Sequence, residues 1–206
     1  MGSPKGTLTA FQADVAKAFL DRAPGFFLTG GAVLAGWELK HRTTDDLDFF
    51  TDSDEAMSMA DAAVRGAAAD LGAVASVLVT TPDFRRFLLS QNDETVRVDV
   101  VRDRAPQLRQ KIIRDGLRMD PVEEIFVNKI CALVSRSELR DLVDLHALEE
   151  KGLRVEEYIE LAQKKDGGVT PATLAWLLGS LVAGPSGLAR YVKDLERRML
   201  ALSVPK

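Results

Sequence analysis

The sequence predicts an α/β (α+β) fold, a mixed β-sheet flanked by helices and followed by a C-terminal helical region. Three observations carry that expectation. Up to about residue 104, short apolar or alternating runs interleave with segments of helical periodicity. Beyond that point strand signals stop and only helical patterns follow. At 46% hydrophobic residues, the chain can also bury a sizeable core. The 206 residues suit one medium domain with a helical extension, read here as 1–104 for the α/β part and 105–206 for the helical part.

The elements follow from local pattern. Leu8, Phe11, Val15, Ala18 and Phe19 recur at helical spacing over 8–22, with Thr7 or Thr9 as cap and Pro24-Gly25 as stop. Phe26-Phe27-Leu28 is a short apolar strand that runs into Thr29-Gly30-Gly31. AVLAGWELK then reads as a helix, HRTTD as a polar loop, and LDFF as a strand beginning at Asp46. Residues 54–71 hold Met57, Ala60, Val64, Ala67 and Leu71 in helical register. VASVLVT (74–80) and RRFLLS (85–90) are strands joined by a turn at Thr81-Pro82-Asp83. Val96, Val98 and Val100 alternate with Arg97, Asp99 and Val101, giving a strand with one apolar and one more polar face. Helices are expected over about 120–136, 138–150, 154–165, 171–183 and 186–201. Gly152, Gly167-Gly168 and Gly184-Pro185 punctuate them.

Composition removes several function classes. A formal net charge of -4 with 6% aromatic residues argues against coating nucleic acid through bulk charge, though a local basic groove remains open. One cysteine, Cys131, excludes an intrachain disulfide and a multi-cysteine metal site. With only His41 and His146 as histidines, any metal would be held by oxygen, which points to magnesium or manganese. MGSPKGT lacks the apolar core of a secretory signal, Gly6 stands where myristoylation wants Ser or Thr, and no run approaches a membrane span. The expectation is a cytoplasmic protein without a membrane partner.

The chemistry concentrates in residues 28–50. Strand residues two apart share a face, so Asp46 and Asp48 project together. Adjacent carboxylates repel unless positive charge intervenes, and a hard divalent cation is a natural partner. Asp99 offers a third carboxylate from another strand. If the strands are neighbours, three acids converge at one edge, enough for two ions when a triphosphate adds oxygens. Gly30-Gly31, between strand and helix, lets backbone approach a ligand, with helix amides facing phosphate. Thr29 adds a hydroxyl, and Arg42 and Thr44 stand where they could contact phosphates. Each feature has a plainer reading: a turn for the glycines, a cap or solvated loop for Asp-x-Asp, an exposed strand position for Asp99, and a structural pair with Asp45 or Glu38 for Arg42.

Further on, Val122, Ile125, Phe126, Ile130 and Leu133 form one helix face, and Lys129 falls inside that stripe. A lysine there must snorkel out or meet an anion. Asp141 and Asp144, at i and i+3 on the next helix, could pair with it.

Together these residues resemble the nucleotidyltransferase superfamily, whose pattern is a glycine pair, a spacer, Asp-hydrophobic-Asp, and a third acid on a later strand. The sequence is most similar to the AbiEii/AbiGii toxin branch, through His41-Arg42-Thr43-Thr44-Asp45-Asp46-Leu47-Asp48-Phe49-Phe50 and through Lys129 followed by Arg140-Asp141-Leu142-Val143-Asp144. The match runs over roughly residues 25–148. It implies a nucleotidyltransferase fold with the helical domain completing the active-site cleft. Asp46, Asp48 and Asp99 would bind Mg2+ or Mn2+. Thr29, Gly30, Gly31, Arg42, Thr44, Lys129 and Asp141 would bind nucleotide, unless Lys129 makes only an interhelical ion pair. It further implies a nucleoside triphosphate substrate, a toxin or phage-defence role with a cognate antitoxin, and transfer RNA as a possible acceptor. Two other readings keep the fold: a small-molecule (antibiotic) nucleotidyltransferase, and a non-catalytic nucleotide-binding module. An α/β hydrolase or a kinase-like enzyme lacks support, because neither a Gly-x-Ser-x-Gly elbow nor a P-loop occurs.

Overall fold

A computed structural model of the chain describes residues 8–181 and 186–204. MGSPKGT, including the Thr7 cap and Gly6, and the Gly184-Pro185 break lie outside the described residues. The chain divides into two compact units. The first comprises residues up to Arg104 with Arg109–Val122; the second comprises Ala105–Leu108 with residues from Glu123 onward.

The first unit opens with α1 (Ala10–Arg22). Thr9 caps it through a reciprocal box: the Gln12 amide donates to Thr9 Oγ1 at 3.1 Å and the Thr9 amide donates to Gln12 Oε1 at 2.8 Å. Then come β1 (Phe27–Thr29), α2 (Gly30–Val33), a π-helical turn over Leu34–Glu38, β2 (Asp46–Thr51) and α3 (Asp54–Asp70). The expected nine-residue helix after the glycines therefore begins on them and ends in a wider turn, closed where the Leu39 amide donates to the Leu34 carbonyl at 2.7 Å. Next are β3 (Val74–Thr80), β4 (Phe84–Gln91) and β5 (Glu94–Arg102).

Two short strands correct the expectation that strand structure ends near residue 104. β6 (Ile112–Arg114) and β7 (Leu117–Met119) form a hairpin in the first unit. Its turn is Asp115-Gly116, at φ 51° and 79°, the backbone geometry that an Asp-Gly pair favours in a two-residue hairpin. Three-residue strands are too short to show a period, so that dipeptide was the only local signal. The helix expected from residue 120 accordingly starts later, and Asp120 belongs to the end of the hairpin.

The strands make one mixed sheet in the order β3-β4-β5-β2-β1-β7-β6. β2 runs parallel to β5 and β1 parallel to β7, while the remaining pairs are antiparallel. Its apolar face carries Leu47, Phe49, Phe87, Leu89, Val96, Val98 and Val100, all buried. Phe19 of α1 packs on Phe49 with ring centroids 4.3 Å apart, and Phe26 meets Phe19 edge-on at 5.3 Å. Met57, Ala60, Val64 and Ala67 form the buried stripe of α3. With one face of β2 and β5 given to the core, strand alternation forces the intervening residues onto the other face.

The second unit is helical: α4 (Val122–Ser135), α5 (Leu139–Glu150), α6 (Val155–Lys165), α7 (Pro171–Ser180) and α8 (Ser186–Ser203). Its core includes Ile125, Phe126, Ile130, Leu142, Leu145, Leu148 and Met199. Arg198 of α8 ties Glu149 and Glu156 together at 2.6 and 2.9 Å. Among the described residues no helix is long and apolar enough to cross a membrane.

Candidate active site

Register across the sheet decides which side chains meet. Thr29 of β1 is the Cα partner of Asp48 of β2, Asp48 is the partner of Asp99 of β5, and Asp99 is the partner of Arg86 of β4. Four adjacent strands thus contribute one row, with neighbours about 4.8 Å apart in the sheet. The next row joins Asp46 to Arg97. Because Leu47 and Phe49 face the core, Asp46 and Asp48 lie together on the opposite face, and Asp99 stands beside them. The sequence expectation left open whether the strands were neighbours; they are.

The acids do not stand in like-charged isolation. Arg86 grips Asp99 with two parallel bonds, Nε donating to Oδ1 at 2.8 Å and Nη2 to Oδ2 at 2.7 Å. Asp46 is paired with Arg97. The hydrogen bonds to Asp99 and the charges of Asp99, Asp46 and Asp48 together hold the Arg86 guanidinium above its ordinary pKa, against a smaller opposing effect of burial. One cation therefore feels all three carboxylates.

The glycine turn presses against this row. Gly30 has φ 67°, which favours glycine, and a Cβ there would fall 2.5 Å from Asp48 Oδ2. A Cβ on Gly31 would fall 2.6 Å from Arg42 Nη2 and 3.5 Å from Thr44 Oγ1. Missing side chains at both positions thus let Asp48 on one side and Arg42 and Thr44 on the other close onto bare backbone. Gln12 Nε2 anchors the loop by donating to the Thr44 carbonyl at 2.7 Å.

Thr29 is buried, and its hydroxyl makes no cap bond to the helix it precedes. It donates instead to Asp120 Oδ2 at 2.6 Å. Lys111 Nζ holds Asp120 Oδ1 at 2.8 Å and lies 3.0 Å from the centroid of the Phe27 ring. Sequence reasoning did not single out Arg86, Arg97 or Asp120. Arg97 could have been found, since it shares the polar alternation of β5 with Asp99. Arg86 needs the strand pairing, and Asp120 needs the hairpin that brings β7 beside β1.

Three carboxylates on one face provide the hard oxygen donors that suit magnesium or manganese. Among the described residues, however, no three or more acidic, histidine or cysteine side chains are gathered into a ready cation cage. Arg86 holds Asp99 and Arg97 holds Asp46. The donor set is of the kind that suits a divalent ion, and two of its three members are held by guanidiniums.

A family model described as "Nucleotidyl transferase AbiEii toxin, Type IV TA system" matches residues 17–184. The chain belongs to this AbiEii toxin family. Among solved structures, it is similar to MenT4, a nucleotidyltransferase toxin from Mycobacterium tuberculosis, at 14% identity and TM-score 0.59, with 94% of this chain and 82% of that chain covered. It is also similar to JHP933 from Helicobacter pylori at 17% identity and TM-score 0.54, covering 91% of this chain and 88% of that one. At these identities the likeness is one of fold. No curated protein matches the chain.

The remaining residues of the AbiEii pattern lie in the second unit. Lys129 is buried in α4, with Nζ 2.7 Å from Asp141 and 2.7 Å from Asp144. Arg136 adds two bonds to Asp141, each 2.8 Å. Burial alone would raise the Asp141 pKa, but hydrogen bonds from Arg136 and the charge of Lys129 outweigh it and hold that carboxyl below its usual range. The lysine inside the apolar stripe has therefore met its anions within its own unit.

Proposed function

We propose that this AbiEii-family chain is a divalent-metal-dependent nucleotidyltransferase that moves a nucleoside monophosphate from a triphosphate to an acceptor hydroxyl, releasing pyrophosphate. The observation that carries the reading is the Thr29, Asp48, Asp99, Arg86 row lying against Gly30-Gly31. Asp46, Asp48 and Asp99 would hold Mg2+ or Mn2+, whose bound form polarises the attacking oxygen and offsets charge on the leaving pyrophosphate. Gly30 and Gly31 let a phosphate approach the backbone. Arg42 and Thr44, seated over Gly31, contact its oxygens. Asp99 orients the acceptor hydroxyl and takes its proton. Asp120 fixes Thr29, so the β1 end of the row keeps one conformation.

The family description, a toxin of a type IV toxin–antitoxin system, supports an antitoxin that opposes the activity; an RNA acceptor, with transfer RNA the first to try, is our extension from the family resemblance. The test is to incubate the purified protein with each labelled nucleoside triphosphate and total cellular RNA, beside parallel reactions with aminoglycosides and lincosamides. Label transferred to RNA, lost in Asp48→Ala while that variant melts as the parent does, is the expected result. Label on a drug would move the protein to the antibiotic-modifying class. Full activity in Asp48→Ala would reject the site.

A further inference from the structure

We propose that Arg86 is a positioning residue that stands in for metal charge at Asp99: it occupies that carboxylate in the free protein and must leave as a divalent cation enters. The inference rests on the metal-dependent reading above and adds a residue to it. Both Asp99 oxygens already accept from the guanidinium, at 2.8 and 2.7 Å. An ion bound through the same oxygens competes for their lone pairs and sits within a few ångströms of a fixed positive charge, where repulsion is strong in a part-buried site.

The two partners differ in freedom. Asp99 is nearly enclosed, its side chain 9% exposed, whereas Arg86 keeps 34%. Asp99 is fixed in mid-strand between Asp48 and Arg86, while the arginine head can turn outward on its flexible stem. Phe84, two residues earlier on β4, has its ring centroid 5.3 Å from the guanidinium carbon, so the head already rests on an aromatic face while it grips Asp99. Arg97 holds Asp46 in the adjacent row, so the same exchange applies there. Before substrate arrives, the two guanidiniums keep the acid row from repelling itself; afterwards they are released beside a triphosphate and can meet its oxygens.

The test reads metal binding without turnover. Mn2+ is titrated into nucleotide-free protein and followed by electron paramagnetic resonance for the parent, Arg86→Gln, Arg86→Lys and Asp48→Asn, with thermal melts as a fold check. The parent should bind Mn2+ and Asp48→Asn should lose it. Arg86→Gln should bind at least about tenfold more tightly, since a competing charge has gone. Arg86→Lys, which keeps the charge but loses the two-pronged grip, should fall between; it decides the matter if Arg86→Gln fails to fold. Asp48-dependent Mn2+ binding that neither Arg86 variant tightens overturns the role of Arg86 and leaves the metal reading standing. Absence of Asp48-dependent Mn2+ binding in the parent overturns both.

Discussion

The first unit and the second each pair buried acids with cations, yet the two arrangements differ in what holds the cation. In the sheet unit, Asp46 and Asp99 are matched by Arg97 and Arg86, whose side chains remain 37% and 34% exposed. In the helical unit, Lys129 is 7% exposed and its partners Asp141 and Asp144 are fully enclosed. A cation that reaches solvent can be traded for another; one sealed between two carboxylates cannot leave without stranding charge. The sheet unit thus has the exchangeable cations that the proposed metal site requires, whereas the Lys129 cluster is enclosed as a structural rivet would be.

The comparison breaks most easily through stability. Lys129→Met should cost about 3–5 kcal/mol in urea unfolding, because Asp141 and Asp144 both lose the enclosed ammonium that they share. Arg97→Met should cost less, about 1–3 kcal/mol, since the Asp46 it strands is buried but stands at a part-exposed site rather than in an enclosed one. Equal losses in the two variants would erase the distinction between rivet and site.

Acid provides a smaller and independent probe. The Asp141 pKa is held down in the folded chain, so its ionised form contributes stability that is fully present above the ordinary carboxylate value of about 3.9. That contribution fades as pH falls from there through the lower folded value. Urea midpoints followed from neutral pH to below pH ~4 should therefore drop less steeply in Asp141→Asn than in the parent. Parallel slopes would mean that the Arg136 and Lys129 bonds do not stabilise the ionised carboxyl.

The distinction was only partly legible in the sequence. Period-2 alternation around Asp46, Asp48 and Asp99 showed which residues share a face, because strand geometry is local. Lys129 inside an apolar stripe with Asp141 and Asp144 downstream was legible for the same reason, as helical spacing fixes both faces. Arg86 was not. Its place beside Asp99 depends on β4 pairing with β5 in one register, and a one-residue slip would turn it to the core. Asp120 stayed hidden because its partner Thr29 is 91 residues away and the strands that carry them together are three residues long. Local pattern revealed the acids; tertiary pairing supplied their cations.

The finest resolution comes from the two glycines, adjacent in sequence and unlike in demand. Gly30→Ala must hold a left-handed backbone, which costs about 1–2 kcal/mol, and its methyl would fall 2.5 Å from Asp48 Oδ2, in mid-strand. Gly31→Ala needs no such backbone, its methyl meets the far end of the flexible Arg42 side chain, and alanine favours the helix it enters by up to ~1 kcal/mol. Unfolding should accordingly register Gly30→Ala and scarcely notice Gly31→Ala. On the proposed function, transfer activity should separate them differently: Gly30→Ala displaces the acid proposed to hold metal and should lower kcat, whereas Gly31→Ala shifts the proposed phosphate contact and should raise KM with kcat nearly kept. Identical kinetic signatures from both would show that Asp48 and Arg42 do not have the separate roles that their opposite sides of the turn give them.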